Sequence, residues 1–173
     1  TDFAWPVPGG SGATCLRFDH VSFAAFDIHI LQRPDASQDF PGDVVAAAEK
    51  LHANLTEVEK QALTANIVSG LPGAAEHFSL DDVRSQLAQY DSISAQQLRQ
   101  NFIDFLSEVV PVAEQLGLRM CCHPDDPPFG LLGLPRVMST EADYKAMMKA
   151  VDVPANGITL CSGSLGARPD NDL

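Results

Sequence analysis

An alternating run that stops abruptly constrains this chain more than any other feature. In Leu118-Arg-Met-Cys-Cys-His123, Leu118, Met120 and Cys122 fall on one side of an extended strand, and Arg119, Cys121 and His123 on the other. Pro124 then removes a backbone donor, and Pro127-Pro128 bars both continuation of the strand and an immediate helix. The pattern predicts a strand over 118–123 with His123 at its C-terminal tip and Asp125 and Asp126 just beyond. In parallel α/β folds, ligands bind at that end of the strands.

A second tip of the same kind is predicted over residues 158–162. Ile158 and Leu160 share one face there, Thr159 and Cys161 the other, before the small-residue loop Ser162-Gly-Ser-Leu-Gly166. Cys161 lies 38 positions after His123, about the length of one strand–helix–strand crossover. Neighbouring parallel strands run about 4.8 Å apart. A histidine and a cysteine at adjacent tips, each reaching roughly 2.0–2.3 Å, therefore suffice for half of a transition-metal site.

The rest of the chain reads as helices and loops. Residues 1–15, with Trp5-Pro-Val-Pro-Gly-Gly10, read as loop. Phe23-Ala-Ala-Phe26 fits helix or strand. Arg17, Asp19, His20, Asp27 and His29 around it read as hydrogen-bonded polar residues rather than ligands. Four helices follow: 43–53, rich in alanine; one from Thr56, with Glu59 completing a capping box; one opened by Ser79-Leu-Asp-Asp82; and a long one from Ser94 to Leu116, stopped by Gly117. The long helix carries Leu98, Phe102, Phe105, Leu106, Val109 and Val112 as a core stripe, and Pro111 inside it predicts a kink. The apolar loop with Phe129, Leu131 and Leu132 reads as packed against the body or as part of a lid. A fifth helix spans 140–151, and Asn156-Gly157 reads as the turn into the second strand.

Composition sets the outer bounds. With 45% hydrophobic and 20% charged residues the chain is globular in type. A net charge of −12 with no basic cluster excludes a nucleic-acid binder, and no apolar run approaches the roughly 20 residues of a membrane span. Cys15, Cys121, Cys122 and Cys161 match neither a disulfide framework nor a paired CxxC zinc site. Reduced thiols in a cytoplasmic protein are expected.

The motifs His123-Pro-Asp-Asp-Pro-Pro, Gly133-Leu-Pro-Arg136, Cys161-Ser-Gly-Ser and Asp170-Asn-Asp-Leu173 together resemble the mannonate dehydratase family. Leu16-Arg-Phe-Asp19, Phe23-Ala-Ala-Phe26, His29-Ile-Leu and Gly70-Leu-Pro-Gly73 fit the same family in the same order. The resemblance implies an α/β fold: a portion of a (β/α)8 TIM barrel, with two consecutive barrel strands near 118–123 and 158–162. A large, mostly helical insertion would occupy 1–93 and the barrel segment 94–173, in one partial domain. Family members are about twice this length, as a whole barrel requires. Two strands alone leave open edges, so this segment in isolation is expected to fold poorly.

The implied activity is a hydro-lyase converting D-mannonate to 2-keto-3-deoxy-D-gluconate and water in hexuronate (glucuronate) catabolism. The resemblance assigns His123 and Cys161 to a divalent metal, manganese, although a thiolate suits iron(II) equally. It places the other two ligands and the proton-transfer residues in later strands, so no catalytic acid or base is named here. Asp125, Asp126, Arg136 and Ser162 are candidates for holding the sugar acid. An aspartate-rich turn and a surface arginine are the plainer readings of the first three. The expected partner is this small sugar acid, with no nucleic acid and no membrane, and homo-oligomerisation is left open. Two rivals stand beside the dehydratase: a metal-dependent barrel that isomerises or epimerises sugars, and a non-catalytic acidic scaffold.

Overall fold

The computed structural model describes residues 2–6, 12–70 and 78–172. The chain divides into two compact units, residues 1–89 and 90–173.

The first unit opens with a pairing that the sequence reading missed. Instead of loop, β1 (Asp2–Pro6) and β2 (Thr14–Phe18) run antiparallel, with Asp2 opposite Phe18 and Pro6 opposite Thr14. Backbone bonds between distant segments stabilise this ladder, and local proline and glycine content does not report them. Residue 1 and residues 7–11 of the expected loop lie outside the described residues. Asp19 then accepts from the Ser22 N–H at 2.7 Å and caps α1 (His20–Ala25). The ambiguous Phe23–Phe26 run is therefore helical, and it continues into a π-helical turn, Phe26–Ile30.

Small side chains set the packing here. Ala24 and Ala25 of α1 meet Ala48 of α2 (Gly42–Asn54), and Val44 and Leu51 close over the contact. Asp27 is fully buried, and Arg33 grips it at 2.7 and 3.0 Å. One of the scattered polar residues is thus a structural ion pair. Capping boxes at Thr56/Glu59 and Ser79/Asp82 start α3 (Glu57–Ser69) and α4 (Leu80–Ala88). Of the Gly70–Gly73 motif, residues 71–73 lie outside the described residues.

The second unit is built on α5 (Ala95–Gln115). Ser94 accepts from the Gln97 N–H, and the helix continues through Pro111 without a break. It ends in a Schellman motif: Leu118 N–H donates to the Ala113 carbonyl at 2.8 Å and Gly117 N–H to Glu114 at 3.0 Å. Gly117 holds φ +69°, which a side chain would strain. The expected core stripe is only partly core. Leu106, Val110 and Ala113 are buried, whereas Phe105 and Val112 are each 54% exposed.

The chain then enters β3 (Met120–Cys122), crosses through α6 (Glu141–Ala150), and returns as β4 (Asn156–Ile158) parallel to β3. Met120 pairs with Asn156, Cys121 with Gly157 and Cys122 with Ile158. Both strands are shorter than expected, and the second begins two residues before 158. Asn156-Gly157 is strand rather than turn. A Cβ on Gly157 would lie 3.3 Å from the Cys121 Sγ, so the glycine makes room for its cross-strand neighbour. Residues 162–165 form a short helix, α7 (Ser162–Leu165), so the second expected strand ends in a helical turn. Val110, Met138, Tyr144, Met147, Ala155 and Leu165 share the core beneath the sheet, with Met120 and Cys122 packed on it. The loop carrying Leu132, Val137 and Met138 buries all three, so it packs rather than standing free. Among the described residues, no helix is long and apolar enough to cross a membrane.

Candidate functional site

The strand ladder continues one bond past β3, where Thr159 N–H donates to the Cys122 carbonyl at 2.8 Å. His123 follows directly, and Cys161 comes three residues after β4. The parallel register thus sets the two side chains at neighbouring strand ends, near enough for each to shift the other's proton affinity.

Each partner is prepared by its neighbours. His123 Nδ1 sits 2.8 Å from the Pro124 carbonyl. A carbonyl only accepts, so Nδ1 carries the hydrogen and Nε2 keeps its lone pair. The same bond, with the thiol next to it, raises the His123 pKa above its ordinary value. Cys161 is pulled down to about 7, chiefly by the Ser164 hydroxyl and N–H and then by His123. The Sγ–Oγ separation is 3.3 Å. Cys122 is moved the other way, since burial and then Asp125 push its thiol up. Of these two cysteines, Cys161 is the one poised as a thiolate. Ser164→Ala is expected to raise its pKa toward the free-thiol value, read from thiolate absorbance against pH. An unchanged midpoint would show that the hydroxyl is not what lowers it, leaving the backbone N–H groups and His123.

The other candidates divide. Asp125 is committed to the loop: its Oδ2 accepts from Met138 N–H at 2.8 Å and from the Ser139 hydroxyl at 3.0 Å, while its own N–H donates to the Met138 carbonyl at 3.0 Å. Arg136 approaches the Asp125 Oδ1 only to 3.8 Å, an ion pair without a hydrogen bond. Asp126 is exposed and close enough to His123 to help raise its pKa. Ser162 is exposed at the start of α7.

Three further residues near the site have roles that the sequence pattern did not specify. Ser164 acts on Cys161 from three positions on, a spacing that the Cys-Ser-Gly-Ser run displays. Asn171 donates to the carbonyls of Ser139 and Leu165, both at 3.0 Å, tying the tail to the loop. Tyr144 lies on the buried face of α6, and its hydroxyl is buried with no hydrogen-bond partner among the described residues. Burial first, and then the nearby acidic groups, push it to about 12. It also lines a cavity of about 430 Å³ with Thr140, Ile158, Leu160 and Leu165. Among the described residues, no group of three or more His, Cys, Asp or Glu side chains converges on one point as a metal would need. His123 and Cys161 are a pair.

Fold and site together define a mixed α/β protein with a histidine and an activated cysteine at the tips of neighbouring parallel strands. The D-mannonate dehydratase (UxuA) family model matches residues 1–173, and the chain belongs to that family. It is 53% identical over all of its 173 residues to Mannonate dehydratase 1 of Agrobacterium fabrum, covering 42% of that relative. It is 49% identical over its whole length to the mannonate dehydratases of Rhizobium meliloti and Chromohalobacter salexigens, covering 42% and 44% of them. The chain thus spans well under half the length of these curated relatives. The crystal structure of mannonate dehydratase from Streptococcus suis serotype 2 is similar with a TM-score of 0.52 and 31% identity, over 62% of this chain and 30% of that one.

Proposed function

We propose that this chain is the part of a metal-dependent mannonate dehydratase that supplies two metal ligands, His123 and Cys161, from successive strands of a (β/α)8 barrel. The observation that carries the reading is their placement at the neighbouring C-terminal ends of the parallel strands β3 and β4. Both side chains suit a metal. In the neutral ring of His123, with Nδ1 held by the Pro124 carbonyl, Nε2 is the nitrogen left to ligate, the arrangement typical of ligating imidazoles. Cys161, held at about 7, is a thiolate in a substantial fraction near neutrality, and only a thiolate binds metal. The remaining ligands would come from the part of the protein outside this sequence. Manganese is the proposed ion, with iron(II) equally served by a thiolate.

The reaction removes the C2 proton of D-mannonate and expels the C3 hydroxyl as water, and the resulting enol becomes 2-keto-3-deoxy-D-gluconate. A bound divalent cation polarises the carboxylate or hydroxyl oxygens and stabilises the charge that develops. Asp126 and Ser162, exposed beside the pair, are placed to hydrogen-bond sugar hydroxyls. Arg136, only loosely held by Asp125, is placed to take the substrate carboxylate. Asp125 serves by shaping the loop that carries Asp126 and Arg136. The free thiols at Cys15, Cys121, Cys122 and Cys161 suit a reducing cytoplasm.

The test uses the intact protein, stripped of metal and resupplied with manganese or iron(II), given D-mannonate. Metal-dependent formation of the 2-keto-3-deoxy acid is expected. A product that retains all of the substrate's water would move the reading to a sugar isomerase or epimerase.

A further inference from the structure

We propose that Asn171 and Arg168 are positioning residues for the strand-tip site. Between them they clamp the loop after β3 to the segment after β4, and so fix the spacing of His123 and Cys161. The inference rests on the metal-site reading and adds to it what holds the two ligands in register.

The sheet cannot set that spacing alone. Strands β3 and β4 pair over three residues each, and the ladder's last bond runs from Thr159 N–H to the Cys122 carbonyl. His123 and Cys161 stand beyond it, while a working site needs its groups held to within roughly 0.5 Å.

Asn171 spans the gap. Its side-chain amide donates to the Ser139 carbonyl and to the Leu165 carbonyl, both at 3.0 Å. Ser139 is 3% and Leu165 7% exposed, so water is poorly placed to replace those bonds. Each end leads back to one tip. The Ser139 hydroxyl donates to Asp125 Oδ2 at 3.0 Å, two residues past His123. Leu165 N–H donates to the Cys161 carbonyl at 3.0 Å, across one turn of α7. Arg168 makes a second tie. Its Nη1 donates to the Pro128 carbonyl at 3.2 Å, its Nη2 is held by Asp170 at 2.9 Å, and its backbone N–H donates to the Leu165 carbonyl at 3.2 Å. The two ties join residues 32 and 40 positions apart, so they are tertiary links and not local turns. Asparagine suits its place because one amide group carries two donors for two carbonyls. An aspartate of the same shape offers acceptors only.

Intact protein, stripped of metal and loaded with cobalt(II), tests the clamp, because thiolate-to-cobalt charge transfer in the near ultraviolet reports the bond from Cys161 to the ion. Asn171→Asp and Arg168→Ala are each expected to weaken cobalt binding about tenfold. Each should also lower the thiolate band per bound ion, even at full occupancy. Arg168→Lys keeps a donor for the Pro128 carbonyl and a charge for Asp170, so it should keep most of the band. Residues that merely support the fold would lower the melting temperature and leave the band of the bound ion unaltered, and that result would overturn the clamp. No cobalt bound by the unsubstituted protein, or cobalt bound without a thiolate band, would overturn the metal-site reading itself and the clamp with it. The unsubstituted protein therefore separates the two failures.

Discussion

His123→Ala in the intact protein is expected to remove bound metal and lower dehydration of D-mannonate by about 10³-fold or more, or about 4 kcal/mol of transition-state stabilisation. The fold should be indifferent. His123 is exposed, its ring is held by the adjacent Pro124 carbonyl, and among the described residues it belongs to neither hydrophobic cluster. Exposed substitutions of this kind stay within about 0.5 kcal/mol. Metal analysis and the melting temperature, measured on the same sample, separate the two effects. Cys161→Ser should behave similarly, because a serine hydroxyl stays protonated where the thiol, held at about 7, ionises. Saturating manganese should restore part of the His123→Ala rate, since one ligand of the pair survives. A variant that keeps its metal and its kcat would remove His123 from the site and return it to the role of a strand-ending histidine.

The positions of His123 and Cys161 were legible because punctuation marks them. Alternation that stops at Pro124, and a small-residue run after Cys161, both announce strand ends without any knowledge of the partner strand. The exact strand was not legible. Asn156-Gly157 carries the composition of a turn, yet Gly157 is needed opposite Cys121, whose sulfur would crowd a Cβ. Only the register reveals that. The hairpin of Asp2–Pro6 and Thr14–Phe18 failed for a related reason, its stability residing in backbone pairing rather than in side-chain pattern. Helix starts read well, since Thr56, Ser79 and Thr140 act on backbone groups within three residues. On α5 the apolar periodicity was real, but Phe105 and Val112 remain exposed. Periodicity reports which residues share a face, not how much of that face is covered. The ionisation of Cys161 was out of reach, because it depends on where the Ser164 hydroxyl points.

Asp143→Ala is expected to be the most damaging substitution to stability around the site, by about 3 kcal/mol, and to lose activity with the fold rather than apart from it. Asp143 is 8% exposed. Its Oδ2 accepts from Ser139 N–H at 3.1 Å, Thr140 N–H at 3.0 Å and the Thr140 hydroxyl at 2.8 Å, while Oδ1 takes Arg99 of α5 at 2.7 Å. The lost helix cap accounts for about 1 kcal/mol. Leaving the buried Ser139 N–H unpaired adds about 1–2 kcal/mol. Arg99 is 38% exposed, so water screens its pairing, which is worth less than about 1 kcal/mol. In a large domain the sum corresponds to a fall in melting temperature of roughly 6–12 °C. The functional consequence follows from topology. Helix α6 is the crossover between β3 and β4, and Ser139 beside its cap is also fastened to Asp125. Loosening it frees both strand tips at once, so metal content and melting temperature should fall together, unlike the separation expected for His123→Ala. Asp143→Asn tests the division of labour. Its amide oxygen still accepts from the cap while the charge facing Arg99 is gone, so it should recover most of the lost stability. If Asn proves as damaging as Ala, the ion pair to α5 and not the cap is what holds the crossover in place.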